Sequence, residues 1–203
     1  MKIAVIGASG NAGSRITAEL ARRGHNVTAI ARNPEKIARQ ANVTPTEGDV
    51  MDQAGLARLV TGHDAAISSV HFLASDPVKL IGAAKESKVG RYLVVGGAGS
   101  LEVAPGVRLV TTAGFPVASK AEAEKGAAFL DLLRAEGELN WTFLSPSAVF
   151  TAGQRTGRFR LGTDQLLTAE DGKSWISFED FAVALADEIE RPAYIRQRFT
   201  VGY

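Results

Sequence analysis

Gly7, Gly10 and Gly13 recur at a spacing of three in MKIAVIGASGNAG, directly after an apolar run, and this constrains the fold more than any other feature of the chain. Lys2–Ile6 is apolar and rich in β-branched residues and reads as a strand, while residues 11–23 carry apolar positions at helical spacing. A strand that enters a helix through a tight glycine turn sets the helix N-terminus, with its unpaired N–H groups and positive dipole end, beside the strand's carboxyl edge. One glycine permits the turn, one lets the backbone approach a pyrophosphate, and one lets helix and strand pack closely. The pattern therefore predicts a dinucleotide site at Gly7, Ala8, Ser9, Gly10, Asn11 and Ala12. A glycine turn of purely structural use is the competing reading.

The rest of the chain supplies the context such a loop requires. Strands are expected at Asn26–Ala31, Val43–Glu47, 64–68, Arg91–Val95 and 140–145, with helices at 52–60, 76–87, 116–136 and 178–191 and a closing strand at 198–202. Asn33-Pro34 places a cap before a helix-starting proline, which predicts a short helix to about residue 40. Ser177, three residues before Asp180, resembles a capping box. Residues 96–114 read as a long loop with a short strand near 108–111, and 165–168 and 174–177 are expected to pair. Alternating strands and helices without a linker or repeat predict an α/β chain: one doubly wound Rossmann domain over 1–203, its mostly parallel sheet covered on both faces.

The end of the second strand selects the cofactor. NAD-binding units place an Asp or Glu there to hold the ribose 2′-hydroxyl. This chain has Ile30-Ala31-Arg32, with no acid before Glu35. A carboxylate repels a 2′-phosphate, whereas a guanidinium binds it through charge-assisted hydrogen bonds. Arg32 thus predicts NADP(H) in preference to NAD(H). Asp49-Val50 follows the third strand, where an adenine-contacting turn is expected, although Asp49 serves equally as a helix cap. Ser68-Ser69 and Gly96-Gly97 lie at carboxyl ends of strands, the edge where open α/β sheets bind ligands.

Composition removes several classes of function. There is no cysteine, so disulfides, thiolate metal sites and a cysteine nucleophile are excluded. The acidic residues are scattered, and no metal site is expected. A formal net charge of +1, from 23 basic and 22 acidic side chains, argues against nucleic acid or anionic membrane as partner. No stretch approaches the roughly 20 apolar residues of a membrane span. A soluble cytoplasmic protein, monomer or homodimer, is expected, with a small-molecule acceptor as its partner.

Several further positions admit both a functional and a structural role. His71 follows the fourth strand and is either a donor facing the substrate or a polar loop residue. Arg155, Arg158 and Arg160 form a basic stretch that binds an anionic acceptor, such as the phosphate of FMN, or is simply solvated. Ser100 reads as turn chemistry, His25 and His63 as surface residues at helix ends, and Trp141 and Trp175 as core.

The segments KIAVIGASGNAG, AIARNPEKI, EGDVMD, NWTFLSPSAVF, GQRTGRFRLG and SWISFEDFAVALADEIE…RQRFTVGY together resemble the atypical short-chain dehydrogenase/reductases. More closely they resemble the NmrA-like NAD(P)H-binding group, which includes NADH-flavin reductases and biliverdin-IXβ/flavin reductases. The resemblance implies about seven strands in a Rossmann fold. It also implies NADP(H) binding, Pro146 beside the nicotinamide, and reduction of FMN, FAD or a similar planar acceptor. The chain departs from the superfamily in one respect: the helix at 116–136 contains no tyrosine, so Tyr-x-x-x-Lys is missing. Ketone chemistry that needs a tyrosine acid is disfavoured, as is a sugar-nucleotide activity. Hydride transfer to a flavin needs no such acid, because the cofactors carry the chemistry. An NmrA-like redox sensor that binds NADP(H) without turnover is the alternative.

Overall fold

Alternate residues of β1 (Lys2–Ile6) face opposite ways, as the pleat requires, and on both faces Ile3–Ile6 are buried. The strand therefore lies inside a sheet covered on both faces. The computed structural model describes residues 1–203. After β1 come α1 (Asn11–Arg22), β2 (Asn26–Ala31), β3 (Val43–Glu47), α2 (Gln53–Val60), β4 (Ala65–Ser68), α3 (Pro77–Ser87) and β5 (Arg91–Val95). The second half contains β6 (Glu102–Ala104), β7 (Val107–Arg108), α4 (Val117–Ala135), β8 (Trp141–Pro146), β9 (Val149–Thr151), β10 (Arg160–Gly162), β11 (Trp175–Ser177), α5 (Phe178–Glu190) and β12 (Gln197–Gly202).

The main sheet has eight strands in the order β10-β12-β8-β5-β4-β1-β2-β3, parallel except where β10 runs antiparallel to β12. The eighth strand, β10, is the one the resemblance did not supply. Ile3 and Val5 point into a core closed by Ile16 and Leu20 of α1 and Phe181 and Leu185 of α5. Ala4 and Ile6 point into the other core, with Leu56 and Val60 of α2, Leu80 of α3 and Phe129 and Leu133 of α4. Each such large side chain contributes roughly 1.5–3 kcal/mol by leaving water. A one-residue slip of β1 would exchange the two sets, so its register is fixed from both sides. Because β1 sits between β2 and β4, the connections diverge there and open a crevice at the carboxyl ends of the strands.

Several expectations change. The helix after Asn33 is a single 3-10 turn, Pro34–Lys36, because Ile37 leaves it in extended conformation and is buried in the core beside α1. The loop at 96–114 folds into the turn Ala98–Ser100, a β6–β7 ribbon and the turn Leu109–Thr111, so the expected strand at 108–111 reduces to Val107–Arg108. β11 pairs with β9 and not with 165–168, whose Gln165 instead bridges Glu102. Ser177 does cap α5, accepting the Asp180 N–H at 3.0 Å, but the Asp180 carboxylate turns to a different partner described below.

Burial corrects four more residues. Trp141 is core, whereas Trp175 is 38% exposed and leans on the Tyr203 ring at 4.3 Å. His25 is buried, its Nε2 2.9 Å from Glu190. His63 is half-buried between Thr28 and the Val60 carbonyl. Ser100 is buried too, and its hydroxyl accepts from Arg198 at 3.3 Å.

Candidate functional site: the cleft at the carboxyl edge

The turn after β1 is built so that side chains are absent where the backbone is crowded. Gly7 has φ +84°, and a Cβ there would stand 2.1 Å from the Ser69 carbonyl oxygen. A Cβ on Gly13 would stand 2.2 Å from the Gly7 carbonyl oxygen, so only glycine lets α1 approach the strand this closely. The Gly7 and Ala8 amides donate to the Ile30 carbonyl at 2.9 and 3.1 Å, tying the turn to β2. Gly10 is the N-cap of α1, with no side-chain cap and no acidic residue in the first turn. The unpaired amides and dipole of α1 therefore meet no charge from the protein itself.

A cleft of about 570 Å³ opens in front of them. Ser9, Gly10, Asn11 and Ala12 line its floor, and Ile30, Ala31, Arg32, Gly48, Asp49, Val50 and Met51 line one end. Ser69, Val70, His71, Phe72, Ala74, Val95, Gly96, Glu122, Phe150 and Phe178 line the other. Arg32 is exposed at the tip of β2 and makes no hydrogen bond or ion pair with any side chain of the protein. Asp49 accepts the Met51 N–H at 2.9 Å and stands in the cleft, while the cap of α2 is Asp52, which accepts from Gly55. A glycine floor, a free helix N-terminus and an unpaired guanidinium together fit the pyrophosphate and 2′-phosphate of a dinucleotide.

The far end is apolar and aromatic. Phe72 packs edge-on to Phe129 at 6.1 Å and lies over Gly126, where a Cβ would meet its ring at 2.6 Å. Phe150 contacts Phe178 at 4.5 Å and Phe181 at 4.7 Å. Glu122 of α4 accepts the Phe72 and Leu73 amides at 2.7 and 2.9 Å and so fixes the turn that carries His71. His71 has 88% of its side chain exposed, with Nδ1 3.3 Å from Glu122.

Not every expected residue reaches the cleft. Ala8 and Ser68 are buried beneath it, Ser68 beside Tyr92, whose hydroxyl is pushed well above the usual phenol range by burial. Pro146 is buried in β8, in register with Val201, and Gly97 sits beside the Phe72 ring without lining the cleft. Arg155 is a correction: its guanidinium lies on Glu19 at 2.8 and 3.0 Å, away from the cleft. Arg160 is spent on the Thr168 and Tyr203 carbonyls, both at 2.6 Å, and Arg158 also lies outside the cleft. Sequence reasoning missed Met51, Phe72, Glu122, Phe150 and Phe178. None carries a local signal: Glu122 lies on the tyrosine-free helix between Lys120 and Lys125, and only the packing of that helix brings it to the cleft. No cluster of His, Cys, Asp and Glu of metal-holding geometry exists, and no helix is long and apolar enough to cross a membrane.

Comparison with known proteins agrees with this construction. The family of NAD(P)H-binding proteins matches residues 7–192. A putative exported protein from Burkholderia pseudomallei is 45% identical with a TM-score of 0.90, covering 100% of both chains. A putative epimerase from Bacteroides thetaiotaomicron is 38% identical with a TM-score of 0.95, over 100% of this chain and 96% of that one. A putative NADH-flavin reductase from Streptococcus pneumoniae is 38% identical with a TM-score of 0.85, over 100% of this chain and 99% of that one. The names differ while the fold does not, so the finer activity must be argued from the site. The chain belongs to the NAD(P)H-binding family.

Proposed function

We propose that the protein is an NADPH-dependent reductase that passes a hydride to a flavin or similar planar acceptor. The observation that carries this reading is the unpaired guanidinium of Arg32, which follows β2 into the cleft, with no carboxylate on that strand. Arg32 would hold the 2′-phosphate, the first-turn amides of α1 the pyrophosphate, and Asp49 and Val50 the adenine edge. Bound there, NADPH supplies a hydride from its nicotinamide ring. Phe72, Phe150 and Phe178 would stack the acceptor and keep water from the transfer. The proton that completes the reduction comes from solvent through the open mouth, where His71 stands. Such chemistry needs no tyrosine, and α4 offers none. An NADPH-consuming reductase fits the cytoplasm, where that cofactor is kept reduced.

Initial rates of NADPH and NADH oxidation with riboflavin, FMN and FAD test the proposal. Turnover with at least one flavin is expected, with kcat/KM for NADPH at least ~10-fold above that for NADH, the worth of one charge-assisted contact. Tight NADPH binding without oxidation by any acceptor would instead support the redox-sensor reading.

A further inference from the structure

The acceptor end of the cleft carries a carboxylate and no fixed cation. Of the basic stretch at 155–160, Arg155 is held by Glu19 and Arg160 by two carbonyls. Arg15, behind Phe178, is paired with Glu179 at 3.1 Å, and Lys125, one turn along α4 from Glu122, does not line the cleft. The one fixed cation that lines it, Arg32, is at the adenosine end. Glu122 is anchored in the wall by two backbone amides and so cannot swing away from an incoming anion. We infer that the acceptor is an uncharged flavin of the riboflavin class, and that Glu122 selects against phosphorylated flavins. The inference rests on the proposed reductase reading and names the substrate class of that same site.

The physical argument is one of sign. Stacking on Phe72, Phe150 and Phe178 rewards the ring system, which riboflavin, FMN and FAD share, so it cannot distinguish them. The phosphate adds one to two negative charges with no guanidinium to receive them. At a partly solvated site each unit of like charge within about 8–10 Å costs a few-fold in affinity. FMN is therefore the weaker ligand although it contains the whole of riboflavin.

The test is equilibrium binding, which does not require turnover. Flavin fluorescence is titrated with NADP⁺-saturated protein at about pH 8, above the ordinary titration range of imidazole. Riboflavin is expected to bind ~5-fold or more tightly than FMN. Raising the ionic strength from about 0.01 M to about 1 M, which shortens the screening length from about 30 Å to about 3 Å, should bring the two together. Glu122→Gln, which removes the charge and keeps an acceptor oxygen for one of the two amides, should do the same at low salt. Tighter binding of FMN, or a preference for riboflavin that neither salt nor Glu122→Gln reduces, overturns the inference. So does the absence of binding by either flavin, and saturation of the same sample by NADP⁺ would then show that the cofactor reading survives.

Discussion

Arg32 and Arg155 show how much a single residue's meaning depends on what stands beside it. Both are exposed, and both invite an anion when read in the sequence. Arg32 keeps its charge free, because the strand it follows supplies no acid. Arg155 meets the carboxylate of Glu19, 136 residues earlier in the chain, and that pairing cannot be read from spacing. The glycine turn was legible because its cause is local: positive φ and close approach leave a pattern within seven residues of sequence. Glu122 and Phe178 were not, because what places them in the cleft is the packing of α4 and α5 against the sheet. At this scale the expected outcome of Arg32→Asp is a rise of about 10–100-fold in KM for NADPH with little change for NADH, as a charge-assisted bond becomes a repulsion. Steady-state kinetics with both cofactors measures it, and equal effects on the two would remove Arg32 from the site.

Elements were read from sequence as well as their periodicity allowed. β1, β2 and β5 fall on the expected residues, because buried parallel strands read as largely apolar runs bounded by turn signals, and the exposed edge strand β3 (VTPTE) falls on its expected residues through its β-branched content. Residues 152–159 carry no period and form neither helix nor strand, yet the structure holds them firmly. Asp180, fully buried at the start of α5, accepts the Thr156 and Gly157 amides at 2.8 Å each, the Thr156 hydroxyl at 2.5 Å and the Tyr203 hydroxyl at 2.7 Å. Glu179 adds the Gly153 amide at 2.9 Å. The same acidic first turn that suits the α5 dipole thus fastens a loop from elsewhere in the chain, and the capping-box motif was a partial view of it. Asp180→Asn puts an N–H₂ where donors already converge. The expected result is a loss of about 1–3 kcal/mol. Faster hydrogen exchange at Thr156 and Gly157 and new tryptic cleavage after Arg155 or Arg158 should accompany it. Unchanged protection of those amides would show that the loop is held by Arg155 and Glu179 without Asp180.

For the molecule as a whole, the charges that matter for stability gather where α1 meets α5, on the face away from α2, α3 and α4. Glu19 is nearly buried, and burial alone would raise its pKa, but bonds from Arg155, Arg22 and Arg23 hold it far below the usual carboxylate range. Arg23 continues to Asp187 and Glu190 of α5 at 2.7 Å each. Burial likewise opposes, and bonds outweigh it, at Glu190 with His25 and Arg23 and at Glu179 with the Gly153 amide and Arg15, so both are lowered. All these folded-state pKa values lie below the unfolded value of about 4.3. Their stabilisation is therefore complete above that value and is lost as the pH falls through it toward the folded values. Stability should be level near neutrality and decline progressively below about pH 5. Glu19→Gln separates this network from the other carboxylates. Near pH 7 it leaves clustered guanidinium groups without their buried counter-ion and should cost about 3–5 kcal/mol. In acid the unfolded native sequence takes up a proton at Glu19 that the variant cannot, and the gap between the two proteins should narrow. Urea denaturation of both at about pH 7 and about pH 3 measures the gap directly, since linkage requires it to shrink with the proton uptake that the variant lacks. A gap of equal size at both pH values would mean that Glu19 supports the α1–α5 contact by shape alone, and that the acid sensitivity of the fold originates elsewhere.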